Sequence, residues 1–162
     1  MIPSILRNDD PALRAFWHPV AQSHAVGDAP VAVRLLGEDL VVARLDGRLT
    51  VLPDRCPHRW TPLSTGCVVD GTLQCPYHGW RFDADGRCTL VPALGEGAAV
   101  PPKAHLVAPQ VREQYGLVWV ALDEPRAELI DVPEWGAPGI VAAFLEDVDA
   151  RCGAAQFTDN FL

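Results

Sequence analysis

Two Cys/His pairs lie close together in the sequence and could bind metal. Cys56 and His58 form a Cys-x-His pair, and Cys75 and His78 form a Cys-x-x-His pair. Each pair offers one thiolate and one imidazole, which are ligands for zinc and for iron. Structural zinc sites can use two cysteines and two histidines, but they usually group the cysteines first and the histidines later. The alternating order does not match that form, so zinc remains only an alternative.

The alternating order fits an iron–sulfur core in which one iron takes both thiolates and the other takes both imidazoles. Four thiolates leave an oxidised 2Fe-2S core as a dianion, whereas two thiolates and two neutral imidazoles leave it neutral. Adding an electron to a neutral cluster costs less free energy. Such centres therefore have reduction potentials of roughly −150 to +300 mV, against about −400 mV for plant-type ferredoxins.

The motifs around these pairs resemble the Rieske domain of the Rieske non-haem iron oxygenases of the aromatic-ring-hydroxylating type. The resemblance implies that Cys56, His58, Cys75 and His78 hold a Rieske-type 2Fe-2S cluster. The residues that carry it are Cys56-Pro-His-Arg59, Pro62-Leu-Ser64, Gly66, Gly71, Cys75-Pro-Tyr-His-Gly-Trp80, Phe82-Asp83, Gly86, Cys88, Trp17-His-Pro-Val20 and Tyr115-Gly-Leu-Val-Trp-Val120. Respiratory Rieske proteins, which the chain also resembles, carry an extra cysteine in each ligand loop, where this chain has Thr61 and Tyr77.

Short apolar segments separated by turn residues predict an all-β fold. The expected strands are Phe16–Val20, Val31–Leu36, Leu40–Leu45, Leu49–Leu52, Val68–Val69, Leu73–Cys75, Trp80–Phe82, Arg87–Leu90, Val107–Glu113 and Leu117–Leu122. The expected turns are Gly37-Glu-Asp39, Asp46-Gly47, Asp70-Gly71, Asp85-Gly86 and Gln114-Tyr-Gly116. Three Asp-Gly turns between apolar segments favour an antiparallel meander. The resemblance implies a Rieske-type antiparallel β sandwich or barrel with a small cluster-binding subdomain of two ligand hairpin loops.

Composition changes divide the chain into three parts. Residues 1–15 are expected to be a lead-in with at most one helical turn at Pro11–Ala15, and 16–123 the Rieske domain, with its cluster-binding part at about 54–92. Residues 124–162 read as a linker and the start of a missing catalytic domain. Within the domain, the prolines and glycines of Val91–Pro109 predict an ordered loop that returns over the sheet, and Trp119 is expected to be buried.

Charge and composition restrict the partners. The chain has 162 residues, of which 49% are hydrophobic, and a net charge of −8. An acidic chain is not attracted to nucleic acid or to anionic membranes, and it favours a basic electron donor. No signal-peptide core and no apolar run of about 20 residues is present. Three cysteines remain beyond the ligand pairs, an odd number for a disulfide framework, so we expect a cytoplasmic protein.

The other residues with chemical potential have simpler interpretations. His18, His24 and His105 lie apart from the cysteines and from one another, and are interpreted as packed or surface residues. Cys67 and Cys88 are interpreted as packing residues, although they could meet. Of the neighbours of the ligands, Trp60, Tyr77 and Trp80 are expected to keep water from the cluster, and Arg59 and Asp83 to pair or to remain surface charges.

The resemblance implies electron transfer from a reductase or ferredoxin, through the cluster, to a mononuclear non-haem iron that activates O2. The parent protein is then an oxidoreductase, a Rieske mono- or dioxygenase, in which His78 faces an aspartate of a neighbouring subunit of a homotrimer. The chain itself offers no two-His-one-carboxylate set, so it has no catalytic residues and Fe(II) is expected only in the missing domain. The alternative is a free-standing Rieske-type ferredoxin.

The final residues, Asp159-Asn160-Phe161-Leu162, resemble the opening of the helix that carries the oxygenases' iron-binding histidines. We therefore expect the parent gene to continue past Leu162 with an aspartate, two histidines within about a dozen positions and a further domain of about two hundred residues.

Overall fold

The computed structural model describes residues 10–95, 97–144, 150–153 and 157, and in them it contains ten β-strands and five short 3-10 helices. The strands are β1 (His18–Gln22), β2 (Val31–Leu35), β3 (Glu38–Leu45), β4 (Arg48–Pro53), β5 (Cys67–Val69), β6 (Thr72–Gln74), β7 (Arg81–Phe82), β8 (Cys88–Leu90), β9 (Gln110–Gln114) and β10 (Leu117–Ala121). The 3-10 helices are Pro11–Ala15, Ser23–Ala25, Leu63–Thr65, Pro92–Leu94 and Pro102–Ala104. Every strand pairing is antiparallel, which confirms the predicted all-β class.

The strands form three sheets. Their orders are β1-β10-β9, β2-β3-β4 and β5-β6-β7-β8. The first two sheets enclose one apolar core, and the third sheet belongs to the part of the molecule that carries the ligand pairs. The sheet β2-β3-β4 contributes to both cores, so it connects the ligand-bearing part to the rest of the fold.

Strand β3 is buried on both faces. Leu40 and Val42 belong to the core shared with β10, whereas Val41, Ala43 and Leu45 belong to the core around the ligand cysteines. Alternate side chains of a strand point to opposite faces. An almost continuous apolar run is therefore required here, because neither face of β3 is left to water.

Four hairpins close through two-residue turns in which both residues have positive φ. These turns are Leu36-Gly37, Asp46-Gly47, Asp70-Gly71 and Tyr115-Gly116. Positive φ at both positions is the type I′ geometry that matches strand twist. Two of the three Asp-Gly turns therefore form tight hairpins as predicted, whereas Asp85-Gly86 lies in the longer connection between β7 and β8.

Two strand boundaries and one burial prediction were wrong in detail. Strand β1 begins at His18 and not at Phe16, after the 3-10 helix Pro11–Ala15 that the sequence predicted. Strand β9 begins at Gln110 and not at Val107, whose surface is 86% exposed. Trp119 is only partly buried, because alternation along β10 turns its neighbours Val118 and Val120 to the core and Trp119 to the other face.

The proline-containing loop between β8 and β9 returns over the ligand-bearing sheet, as predicted. Its Ala104 is buried in the same core as the ligand cysteines. The N–H of Leu106 donates to the carbonyl of Gly86 at 2.8 Å, which fixes the loop to the β7–β8 connection. A Cβ on Gly86 would lie 2.5 Å from the Leu106 carbonyl oxygen, so this close approach requires glycine.

The segment after β10 packs back on the domain. The Arg14 guanidinium pairs with Asp123 and with Glu38, and the Arg126 N–H donates to the Ala15 carbonyl at 3.0 Å. Residues 124–144 contain no strand. The expected helix opening at Asp159 lies outside the described residues. In the part of the chain that the structure describes, no helix has the length and apolar character needed to cross a membrane.

Candidate metal centre

The first ligand loop, Cys56–Thr61, is closed by its own backbone. The Cys56 N–H donates to the Thr61 carbonyl at 2.9 Å, and the Trp60 N–H donates to the Cys56 carbonyl at 2.8 Å. Trp60 has φ +60°, a left-handed conformation that costs a non-glycine residue roughly 1–2 kcal/mol. The loop therefore makes a tight turn in which His58 lies at the tip.

The second ligand loop, Cys75–Trp80, repeats the same pattern. The Cys75 N–H donates to the Trp80 carbonyl at 2.8 Å, and the Gly79 N–H donates to the Cys75 carbonyl at 3.1 Å. Gly79 has φ +70° and occupies the position that Trp60 occupies in the first loop. Glycine adopts this conformation without strain, so the unusual residue of the two is the tryptophan.

The two loops bring all four expected ligands into two layers. Cys56 and Cys75 are buried, with 1% and 2% of their surface exposed, and their thiols interact with each other. His58 and His78 are exposed, and their ring centroids lie 4.6 Å apart. The cysteines therefore form an inner pair in the apolar core and the histidines an outer pair at the surface.

The electrostatics differ between the layers. Burial raises the pKa of the Cys56 thiol to about 11, with a smaller contribution from Cys75, while the N–H groups of His58 and Arg59 point at the sulfur and oppose the shift. The pKa of His58 is lowered, first by partial loss of hydration and then by the neighbouring His78 and Arg59. A lowered histidine pKa favours the neutral imidazole that a metal requires.

These residues fit a binuclear iron–sulfur core. Within the described residues, no three His, Cys, Asp or Glu side chains converge on a point that could hold a single ion. A 2Fe-2S core does not require this, because each iron takes only one pair of protein ligands. Cys56 and Cys75 would hold the buried iron and His58 and His78 the outer iron, with backbone N–H groups already directed at one sulfur.

Aromatic side chains surround the outer pair, but they do not seal it from water. The Trp80 ring lies parallel to the His58 ring, with an interplanar angle of 3° and centroids 4.8 Å apart. The Tyr77 ring centroid lies 3.8 Å from that of His78, but Tyr77 is 62% exposed, and Trp60 is 66% exposed. The expectation that Trp60 and Tyr77 keep water out is wrong, because both rings lie at the surface of tight turns.

Sequence reasoning missed the residues that anchor the first loop. The Asp54 carboxylate accepts from the Ser64 N–H and from the Ser64 hydroxyl, both at 2.6 Å. These bonds join the chain entering the loop to the 3-10 helix that follows it. The signal available in the sequence was an aspartate two residues before a ligand cysteine, together with a serine in a Pro-Leu-Ser turn.

The remaining histidines have separate structural contacts. The His18 ring lies 2.8 Å from the Leu13 carbonyl oxygen, and Nδ1 of His105 accepts from the Cys88 N–H at 3.1 Å. His24 is exposed on the 3-10 helix after β1. As expected, none of the three lies with the ligand pairs.

Two further expectations concern Cys67, Cys88 and Asp83. All five cysteines are free, and Cys67 is exposed whereas Cys88 is buried, so the packing role is confirmed for Cys88 alone. Asp83 does not pair with Arg59. Its carboxylate accepts from the N–H groups of Asp85 and Arg87, at 2.9 and 2.8 Å, and so stabilises the β7–β8 connection.

Comparison with known proteins agrees with this geometry. The family model of the Rieske [2Fe-2S] domain matches residues 16–111. Methylxanthine N1-demethylase NdmA of Pseudomonas putida is 43% identical over 129 residues, which are 76% of this chain and 36% of that protein. The oxygenase subunit of 3-chlorobenzoate-3,4-dioxygenase of Comamonas testosteroni is 36% identical over 132 residues, 75% of this chain and 31% of that protein.

A solved structure of NdmA from Pseudomonas putida CBB5 superimposes with a TM-score of 0.75 at 38% identity, covering 81% of this chain and 42% of that one. The chain spans about a third of the length of the relatives it matches in sequence. The region that the family model matches, residues 16–111, contains both ligand loops and nine of the ten strands in full or in part. The chain therefore belongs to the Rieske [2Fe-2S] domain family, and the relatives it matches include a demethylase and a dioxygenase subunit.

Proposed function

We propose that this chain transfers single electrons through a Rieske 2Fe-2S cluster held by Cys56, His58, Cys75 and His78. The observation that carries the proposal is the layering of the ligands, with both thiols in the core and both imidazoles at the surface. When bound, the cluster supplies one-electron chemistry at roughly −150 to +300 mV. The chain supplies the ligands, their orientation and an apolar inner wall.

The outer histidines define where electrons enter and leave. An imidazole that binds metal through one ring nitrogen keeps the other nitrogen available for a partner. Because His58 and His78 are exposed, those nitrogens can contact another protein group directly. Trp80 stacks on His58 and fixes the plane of that ring. Electron transfer and any proton exchange therefore use the same surface.

The parent protein is proposed to be an oxygenase. Its further domain would hold a mononuclear Fe(II) that activates O2, and its electrons would come from a reductase or ferredoxin in the cytoplasm. A homotrimer would bring His78 to an aspartate near the iron of a neighbouring subunit. Support comes from relatives that are about three times as long as the matched segment, among them a demethylase and a dioxygenase. The proposed boundaries remain 16–123 for the electron-transfer domain and 124–162 for the linker and onward connection.

Metal analysis tests the cluster. Purified protein is expected to be red-brown, with iron and acid-labile sulfide each near two per chain. Cys56→Ser should lose both, because it removes an inner ligand, whereas the matched variant Cys67→Ser should keep both, because Cys67 is exposed and outside the ligand set. A colourless protein with one zinc per chain would contradict the proposal and favour the structural zinc alternative.

The sequence of the gene beyond Leu162 tests whether the parent protein is an oxygenase. An aspartate as the next residue, followed by two histidines within about a dozen positions, would support it. A stop codon after Leu162 would instead favour the free-standing ferredoxin.

A further inference from the structure

The surface around the ligand loops differs in charge from the rest of the chain. The whole chain carries −8. The stretches Arg55–Val69 and Thr72–Phe82 contain three arginines and neither aspartate nor glutamate. The ligand loops therefore form a locally cationic region on an acidic protein.

Two of these arginines are available for a partner. Arg81 is engaged, because its guanidinium donates to Asp70 at 2.9 Å and to Gln74 at 3.0 Å. Arg55 and Arg59 are exposed, and among the described residues neither has a carboxylate partner. Arg59 directly follows His58 in the first ligand loop.

The neighbouring carboxylate, Asp54, does not neutralise this region by pairing with either arginine. Both of its oxygens accept hydrogen bonds from Ser64 at the base of the first loop. Among the described residues, Arg55 and Arg59 therefore have no salt bridge that a partner's carboxylate would have to break.

Trp60 adds an apolar centre to the same surface. Its backbone has φ +60°, and the equivalent residue of the second loop, which has φ +70°, is Gly79. The indole is mostly exposed, and the Arg55 guanidinium lies 4.2 Å from its ring centroid. A strained backbone that holds a large aromatic side chain in water points to a role at that surface and not in folding.

We propose that Arg55, Arg59 and Trp60, at the first ligand loop, form a docking surface for an acidic electron-donor protein. This inference rests on the proposed function and adds the charge of the partner to it. Aromatic and arginine side chains are the residue types that dominate protein interfaces. Opposite charges around them speed the encounter of the two proteins.

The donor class that fits is a reduced plant-type 2Fe-2S ferredoxin domain. One electron would leave the donor's cluster, which would be oxidised, and would reduce the cluster that Cys56, His58, Cys75 and His78 would hold. No further reactant is needed, and the transfer is favourable because four-cysteine clusters have the lower potential. This choice reverses the expectation from net charge, which favoured a basic donor, because the charge near the imidazoles has the opposite sign.

Binding and reduction can be measured with an acidic plant-type ferredoxin as the probe. The dissociation constant of the two oxidised proteins is obtained by calorimetry, and the reduction rate by stopped-flow absorption. At about 50 mM salt, Arg59→Glu and Arg55→Glu should each weaken binding and slow reduction roughly fivefold or more, and about 500 mM salt should remove most of the difference. The matched control is Arg112→Glu on β9, which makes the same charge change away from the ligand loops and should alter either value less than twofold.

Trp60→Gly separates docking from folding. Glycine suits φ +60°, so the thermal midpoint should be unchanged or higher. Binding of the ferredoxin should weaken at both salt concentrations, because an apolar contact is not screened. Photoreduced deazariboflavin, an uncharged small reductant, should reduce all variants at the same rate.

Several outcomes would overturn the inference. One is a loss of ferredoxin affinity in Arg112→Glu that equals the loss in Arg59→Glu. Others are ferredoxin binding that strengthens with salt, or no binding to the unaltered chain. The last is a Trp60→Gly variant that binds ferredoxin as tightly as the unaltered chain and is equally stable. Self-association that Arg59→Glu abolishes would assign the surface to a second copy. Zinc in place of iron would overturn the proposed function as well, whereas a full cluster with charge-independent binding would overturn only this inference.

Discussion

Gly66 is the position at which a single methyl group should do most damage to the site. It follows the 3-10 helix after the first ligand loop, and its backbone passes close to the strand that enters the second. A Cβ built on Gly66 would lie 2.1 Å from the Gln74 carbonyl oxygen, where real contacts stay beyond 3.0 Å. The two backbone segments must therefore separate by about 1 Å in Gly66→Ala, and Gln74 is the residue before Cys75.

The magnitude follows from two opposing effects. Overpacking that moves backbone costs about 1–3 kcal/mol, and a clash between two backbone segments belongs at the upper end. Replacing glycine by alanine returns about 0.4–1 kcal/mol through the unfolded chain. The expected net loss is about 2 kcal/mol, or a thermal midpoint lower by roughly 4–8 °C for a chain of this length. Because Cys75 moves with Gln74, iron content should fall as well.

Gly27→Ala is the matched control. Its added Cβ would meet nothing within 4 Å, and its φ is not in the left-handed region. The thermal midpoint of this variant should stay the same or rise by a few degrees, with full iron content. Scanning calorimetry and iron analysis on both variants test the reasoning, which fails if Gly66→Ala is as stable as the unaltered chain or if Gly27→Ala loses as much.

Three further predictions concern the ligands and their anchor. His78→Cys, if a cluster still assembles, should lower the reduction potential by at least roughly 100 mV because a thiolate adds negative charge, while His24→Cys should leave the potential measured by spectroelectrochemistry unchanged. The metal-free chain should lose stability as pH rises from 9.0 to about 11, by roughly 1.4 kcal/mol for each pH unit, because burial makes the folded state hold the Cys56 proton more tightly than the unfolded state. Urea unfolding across this pH range measures the slope. A Cys56→Ser variant with the same slope would contradict the assignment to Cys56. Asp54→Ala should cost about 1–3 kcal/mol by leaving the N–H and hydroxyl of Ser64 without their acceptor, and a thermal midpoint equal to that of the unaltered chain would show that the bonds do not hold the loop.

The sequence predicted the strands and the approach of the two ligand loops because these depend on local patterns. Alternation and Asp-Gly turns identified the hairpins around Asp46 and Asp70, where side-chain period and turn geometry are set within a few residues. The ligand spacing predicted that Cys56, His58, Cys75 and His78 come together, and the structure places them in two adjacent loops.

Exposure was harder to predict, since it depends on which face of a turn or strand meets the rest of the fold. Trp119 was expected to be buried, yet alternation along β10 turns it away from the core. Trp60 was expected to exclude water, yet its left-handed backbone directs the ring to the surface. The net charge is an average over the whole chain, so it did not predict the local cationic region at Arg55 and Arg59.

The paired backbone bonds of the ligand loops have a consequence for the speed of electron transfer. In each loop the cysteine N–H donates one backbone hydrogen bond and the cysteine carbonyl accepts another, so bonds within the loop hold the cysteine in place. A site held in this way changes little in geometry when its charge changes by one unit, which keeps the reorganisation energy of the protein small. Most of the remaining reorganisation then comes from water at the exposed imidazoles, and a partner that displaces this water would lower the activation barrier as it docks.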